Sequence, residues 1–346
     1  MADIKWTDLS TPDPEFQAFL DSVGGKLPSL SDAGSAPPPM AALRATIASA
    51  DKPVVPGVTA PATMDGVEKS RITIPVRDGA SIAAALYRPV QKPEAGSPLV
   101  VAFHGGGWCL GVPEMEEVNC VNAVQKYGAV AISVDYRLAP EHPFPTAIND
   151  SWDALKWIAT NATSPAINAD PATAGFIVHG ESAGGNIAVV LALLARDEGG
   201  LSPPLTGVSA SIPAVLAAEV VPERFKEEYK SCEQNKNAPG LDAGALGFFV
   251  ANYNPDKSSP LFSPFNWPTG HKGLPPFFIQ ACGLDPLRDD ALLFERLLRT
   301  EAGVKTKLVV YPGLPHSFWG FFPHLEASRK AVGKVVEGFG WLLGKA

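Results

Sequence analysis

The chain has 346 residues, 46% of them hydrophobic, enough to bury one large α/β core or two ordinary domains. A net charge of −8 with no block of like charges argues against nucleic acid or an anionic membrane surface as the main partner. Thirty-four prolines and 32 glycines without a period fit a loop-rich enzyme and exclude a fibrous chain. Cys109, Cys120, Cys232 and Cys282 form no C-x-x-C pair and have no histidine-spaced partner, so no metal site and no disulfide framework is expected. No apolar run follows Met1 and no 18 consecutive apolar residues occur, so neither a secretory signal nor an integral membrane segment is expected and a cytoplasmic location is.

Residues 1–65 carry few strand signals. Helical patches at Pro14–Val23 and Met40–Ala48 alternate with Ser/Ala/Pro-rich stretches at Ser29–Pro39 and Lys52–Pro61, the pattern of an appendage packed on something else. The texture changes at Ser70. Arg71–Val76 and Ile82–Tyr87 alternate like antiparallel strands around an Arg77-Asp78-Gly79 turn, and Leu99–Phe103 is continuously apolar, as a buried parallel strand requires. A helix is expected over Glu114–Tyr127, a strand over Ala129–Val134 and a helix over Ala147–Ala159. Gly175–His179 reads as a strand, Asn186–Asp197 as the helix after it, and Leu205–Val215 as another strand. Regularity is lost from Ala217 to Pro276. It returns with a strand at Phe277–Cys282, a helix at Arg288–Ala302, a strand at Lys305–Tyr311 and a helix at Ala327–Leu343. Alternating strands and helices predict a mostly parallel sheet covered on both faces, opened by an antiparallel hairpin.

Between the apolar run Phe176-Ile177-Val178 and a helix-forming run lies Gly180-Glu181-Ser182-Ala183-Gly184-Gly185. A serine with a glycine two residues to either side suits a strand-to-helix turn that projects a nucleophilic hydroxyl. Ligands in such sheets bind at the carboxyl ends of the strands, so the residues after each apolar run matter most. After Leu99–Phe103 comes His104-Gly105-Gly106-Gly107-Trp108, whose glycines let main-chain N–H groups approach a developing oxyanion. The Ala183 N–H, at the start of a helix, is the remaining candidate donor. After Phe277–Cys282 comes Gly283-Leu284-Asp285-Pro286-Leu287-Arg288-Asp289-Asp290; Asp285 is the favoured acid and Asp289 the reserve, against a plain helix-capping role for Asp285. After Lys305–Tyr311, His316 lies in a Pro/Gly loop. Of six histidines it alone follows a strand downstream of an acid; His104, His142, His179, His271 and His324 do not. The order Ser182, Asp285, His316 is that of the α/β-hydrolase triad.

These stretches, with Asp135-Tyr136-Arg137-Leu138-Ala139-Pro140-Glu141 and Pro143-Phe144-Pro145, resemble the hormone-sensitive-lipase-like (family IV) carboxylesterases of the α/β-hydrolase superfamily over roughly residues 70–345. The resemblance implies an α/β-hydrolase fold: a mostly parallel eight-stranded sheet with helices on both faces and a helical cap. Residues 66–216 and 274–346 then form the catalytic domain, with residues 1–65 and the insertion 217–273 as the cap. It also implies hydrolysis of a small-molecule carboxylic ester without a cofactor, and maps the oxyanion donors of the glycine loop onto Gly106 and Gly107. The family commonly has Asp or Thr where this chain has Glu181.

Trp108 and Trp319 flank the catalytic loops, and Phe248, Phe249, Phe262 and Phe265 lie in the insertion; these aromatics are either pocket walls or core. Cys109 reads as a small buried filler rather than a redox switch, and Asp135 and Asp150 as loop anchors. Three other functions compete with general esterase activity. One is a hydrolase or transesterase for a particular natural-product ester or lactone. Another is a long-chain lipase, which the lack of an extended hydrophobic lid helix disfavours. The third is a non-catalytic receptor on the same fold, disfavoured by the presence of His316. The last strand, near a sheet edge, offers a route to a homodimer.

Overall fold

The computed structural model describes residues 5–25, 27, 38–49 and 53–345; Met1–Ile4, most of the Ser/Ala/Pro-rich stretch beginning at Ser29, and Lys52 lie outside them. Eight strands form one sheet: β1 (Val67–Pro75), β2 (Ser81–Pro89), β3 (Leu99–Phe103), β4 (Val130–Val134), β5 (Phe176–Glu181), β6 (Gly207–Ser211), β7 (Phe277–Leu284) and β8 (Thr306–Pro315). Their order is β1-β2-β4-β3-β5-β6-β7-β8. The β1–β2 and β2–β4 pairs are antiparallel and every other pair is parallel, as the hairpin-then-alternation pattern predicted.

The period of two decides which face each side chain covers. In β3, Leu99, Val101 and Phe103 join the large core beneath helices Thr146–Asn161, Ala183–Asp197 and Arg288–Thr300. Val100 and Ala102 join a second cluster under helices Glu117–Tyr127 and Glu326–Leu342. Both faces of the central strands are therefore dry, while edge strand β1 is largely exposed. Helix Ala183–Asp197 is buried at every position from Ala183 to Leu194, which explains why its sequence is apolar all round.

Several boundaries differ from the sequence reading. The expected helix at 114–127 splits into a 3-10 turn, Pro113–Glu116, and the α-helix Glu117–Tyr127. The strand read as Leu205–Val215 is paired only over Gly207–Ser211, because the chain turns away at Ile212 to begin the irregular segment. In contrast β7 and β8 run longer than expected. Register irregularity between Cys282 and Leu284 brings Leu284 opposite Pro315, so the Pro/Gly stretch before His316 is strand rather than loop.

The irregular segments lie against the carboxyl ends of β7 and β8. Asp13 caps helix Pro14–Ser22 by accepting from Glu15 N at 2.9 Å, while its own N–H donates to Gly313 O at 3.1 Å. Ser10 Oγ donates to Gly283 O at 3.2 Å. Residues 212–276 contain one helix longer than four residues, Ala243–Tyr253, capped by the Asp242 side chain. That segment is held by polar side chains of the core. Asn186 Nδ2 donates to Ala214 O at 2.8 Å and Phe262 O at 2.9 Å. Asp290 Oδ2 accepts from Val215 N and Leu216 N, both at 2.9 Å, and Asp289 Oδ2 accepts from Lys230 N and Ser231 N, both at 2.7 Å.

Candidate active site

Ser182 follows the last residue of β5 and precedes the first residue of its helix, with φ 54° and ψ −114°. A non-glycine residue in that region is strained and persists only when its surroundings hold it. They do so through glycine. A Cβ at Gly180 would lie 2.1 Å from Gly184 O, and one at Gly184 only 1.9 Å from Phe103 O. The turn also docks on the next strand, Ser182 N donating to Ser211 O at 2.9 Å.

The three residues singled out at the ends of β5, β7 and β8 meet. His316 Nδ1 lies 2.7 Å from Asp285 Oδ2, and His316 Nε2 lies 2.9 Å from Ser182 Oγ. A carboxylate can only accept, so Nδ1 carries the proton and Nε2 is left to accept from the serine hydroxyl. Asp285 is wholly buried, and its other oxygen accepts from Leu287 N at 2.8 Å. Asp285 is therefore not the helix N-cap, a position held by Leu287; one of its oxygens faces His316 and the other closes the turn before the helix. Asp289, the reserve acid, instead pairs with Arg288 at 2.8 Å and anchors Lys230 and Ser231.

Burial alone would lower the pKa of His316, but the charge and hydrogen bond of Asp285, with the charge of Glu181, outweigh it and raise the imidazolium above its ordinary value. His104 has no such partner, and burial lowers it. Its ring stacks on Tyr136 with centroids 4.3 Å apart, while Tyr136 Oη donates to His104 O at 2.7 Å, fixing the start of the glycine loop. Gly106 and Gly107 adopt φ of 111° and 60°. Among the described residues nothing accepts their N–H groups, nor that of Ala183 in the first turn of its helix. Gly105 brings the loop to the serine, since a Cβ there would meet Ser182 Cβ at 3.6 Å.

The aromatics divide. Trp108 is a correction to the pocket-wall reading: it is 3% exposed and stacks on Tyr253 at 4.6 Å and 4°, with Phe262 at 5.3 Å. Phe262 and Phe265 are likewise core. Phe248 and Phe249 stay partly exposed, and Phe249 sits on the glycine loop: a Cβ at Gly107 would lie 2.5 Å from Phe249 Cγ. Trp319 packs against Phe318 and Tyr311, and its Nε1 is committed to Glu181 Oε2 at 2.8 Å. Burial pushes the Cys109 thiol up to about 12, so it stays protonated. Asp150 anchors Arg137, accepting from Nη2 at 2.7 Å and Nε at 2.8 Å. Sequence reasoning noted Glu181 and Asp289 without the partners each binds, and gave no tethering role to Asn186, Asp289 or Asp290. The only signal for the tethers was their place in the first helical turn after a strand.

Among the described residues no cluster of His, Cys, Asp and Glu is arranged to hold a metal, and no helix is long and apolar enough to cross a membrane. Two surface clefts among the described residues, one bordered by Glu68, Arg88 and Lys92 and the other by Gln91 and Gln125, lie near the amino end of β4, away from Ser182.

A family model described as "alpha/beta hydrolase fold" matches residues 100–320, which contain all three of these side chains. The chain belongs to the α/β-hydrolase family. It is 37% identical over 260 residues to the versiconal hemiacetal acetate esterase of Dothistroma septosporum, covering 74% of this chain and 77% of that one. It is 40% identical over 243 residues to the carboxylesterase NlhH of Mycobacterium tuberculosis, covering 68% and 71%. Among solved structures, a vibralactone cyclase superimposes with a TM-score of 0.86 at 35% identity, covering 98% of this chain and 96% of that one. The expected hormone-sensitive-lipase-like membership and the eight-stranded, mostly parallel sheet both hold.

Proposed function

We propose that this carboxylic ester hydrolase cleaves short- to medium-chain esters through an acyl-enzyme on Ser182. The observation that carries the reading is the unbroken chain Asp285–His316–Ser182, with glycine-loop and Ala183 main-chain N–H groups that no acceptor among the described residues takes. Ser182 Oγ attacks the ester carbonyl while its proton passes to His316 Nε2, and Asp285 steadies the resulting imidazolium. Gly106, Gly107 and Ala183 donate to the oxyanion, each worth about 2.7–4 kcal/mol in the transition state. His316 then protonates the leaving alcohol. Water, deprotonated by the same imidazole, attacks the acyl carbonyl and returns Ser182 to its hydroxyl form. The described parts of residues 1–65, with 217–273, form the cap over this site, and Phe248, Phe249 and Trp319 border the substrate. A homodimer through the open edge of β8 rests on the resemblance and on that edge having no partner strand among the described residues. A cytoplasmic location fits the four free cysteines.

A second reading is favoured by the likeness to a protein titled vibralactone cyclase. In that case a hydroxyl of the acyl group, rather than water, attacks the acyl carbonyl. His316 takes the proton of that hydroxyl and passes it to Ser182 as the acyl–serine bond breaks and the lactone is released. The test for both is Ser182→Ala. Loss of p-nitrophenyl acetate hydrolysis with an unchanged melting temperature supports an acyl-enzyme, and retained turnover overturns it. Product analysis on a hydroxy-ester then separates hydroxy acid from lactone.

A further inference from the structure

Glu181 is a carboxylate that the acyl-transfer chemistry above does not use. It ends β5, directly before the nucleophile, yet its side chain belongs to the histidine's loop. Oε1 accepts from Ser317 Oγ and Oε2 accepts from Trp319 Nε1 at 2.8 Å. Those donors stand one and three residues after His316, and 136 and 138 residues from the glutamate in sequence. Ser317 is itself held at φ 52° and starts the short helix Phe318–Phe321. Trp319 is wedged edge-on against Phe318 and Tyr311, at 5.1 and 6.3 Å. One carboxylate therefore ties the turn that carries the nucleophile to the turn that carries the base.

We propose that Glu181 is a positioning residue, which through Ser317 and Trp319 fixes the His316 ring against Ser182 and steadies the imidazolium formed when that serine is acylated. This rests on the acyl-transfer reading of Ser182, Asp285 and His316. The charge has the right sign, since an anion near His316 favours the protonated ring. The groups around the pair are few. His316 faces Ser182 from the β5 turn, Asp285 from the end of β7 and Glu181 from β5. Glu181 faces Glu116 from the 3-10 turn, as well as Ser317 and Trp319. The Cys282 thiol of β7, whose pKa burial raises, lies in the field of both Glu181 and Asp285. Burial, then the repulsion of Glu116, raises the pKa of Glu181, and the hydrogen bonds from Ser317 and Trp319 with the charge of His316 oppose that rise.

The experiment is a pH profile of kcat/KM for p-nitrophenyl acetate on the full-length enzyme, with kcat and KM resolved separately. Glu181→Gln removes the charge, and its acidic limb is expected about one unit lower in pH than that of the wild type. Its kcat falls roughly tenfold at nearly constant KM, because a hydrogen bond to a charged group in the transition-state assembly is lost. Glu181→Asp keeps the charge and returns the limb towards the wild-type position. A Glu181→Gln enzyme with wild-type kcat and an unmoved limb overturns the proposal. Should Glu181→Gln not fold, Ser317→Ala and Trp319→Phe keep the carboxylate and remove its donors. A lowered kcat in both supports positioning, and wild-type kcat in both overturns it. Ser182→Ala separates the two levels. If that variant is active the acyl-transfer reading fails, whereas an inert Ser182→Ala beside an unaltered Glu181→Gln sinks only the role of Glu181.

Discussion

The ends of the strands and the irregular segment tethered to them are built on different principles. Ser182, Asp285 and His316 each follow a strand within one residue, so the sheet itself fixes their separation. Residues 212–276 have little secondary structure and are held instead by three core side chains, Asn186, Asp289 and Asp290. Chemistry placed on the sheet tolerates little variation, while a tethered cover can change shape without disturbing it. Relatives with names as different as acetate esterase and cyclase share this fold.

The comparison can be broken from the sheet side first. Asp285→Asn keeps the turn but leaves Nδ1 of His316 without its anion. The expected loss is about 10⁴-fold in kcat, with little change in the circular dichroism spectrum or in binding of a non-hydrolysable ester analogue. A loss below tenfold means that Asp285 does not orient the base. From the cover side, Phe249→Ala removes the ring lying on Gly107. It is expected to raise kcat/KM for hexanoate relative to acetate esters by about tenfold while leaving the pH profile unmoved. An unchanged chain-length profile removes Phe249 from the pocket.

The smallest effect concerns a tether. Burial is the main reason that Asp290 is pushed up to about 8, against an ordinary value of 3.8. The unfolded chain loses this proton first, so between pH 4 and 8 the folded state binds more protons and its stability declines as pH rises. Asp290→Asn removes that contribution. Its melting temperature, compared with the wild type at each pH, is expected to gain a few degrees from pH 4 to pH 8. A constant difference across that range rules out Asp290 as the titrating tether.

Much of this was legible in the sequence, and the reasons are local. The glycines at 180 and 184 are required by backbone contacts near 2 Å, and apolar runs such as Leu99–Phe103 are required by burial on both faces. These constraints act within a few residues, so they leave patterns. The extension of β8 to Pro315 left none, because it depends on the irregular pairing with β7. Trp108 misled for a similar reason: its neighbours Tyr253 and Phe262 are more than 100 residues away in the chain, and only the fold shows that they enclose it. Glu181 was visible as an acidic residue beside the nucleophile, but its partners follow the histidine and no spacing rule joins them.

The central claim is that Ser182 is the acylated nucleophile. Its most direct test is reaction with a p-nitrophenyl alkylphosphonate, a mimic of the tetrahedral intermediate, followed by peptide mass mapping. The account predicts one equivalent of p-nitrophenol released per chain, a phosphonyl adduct on Ser182, and esterase activity lost in proportion. An adduct on another residue, or full activity after complete labelling of Ser182, contradicts it.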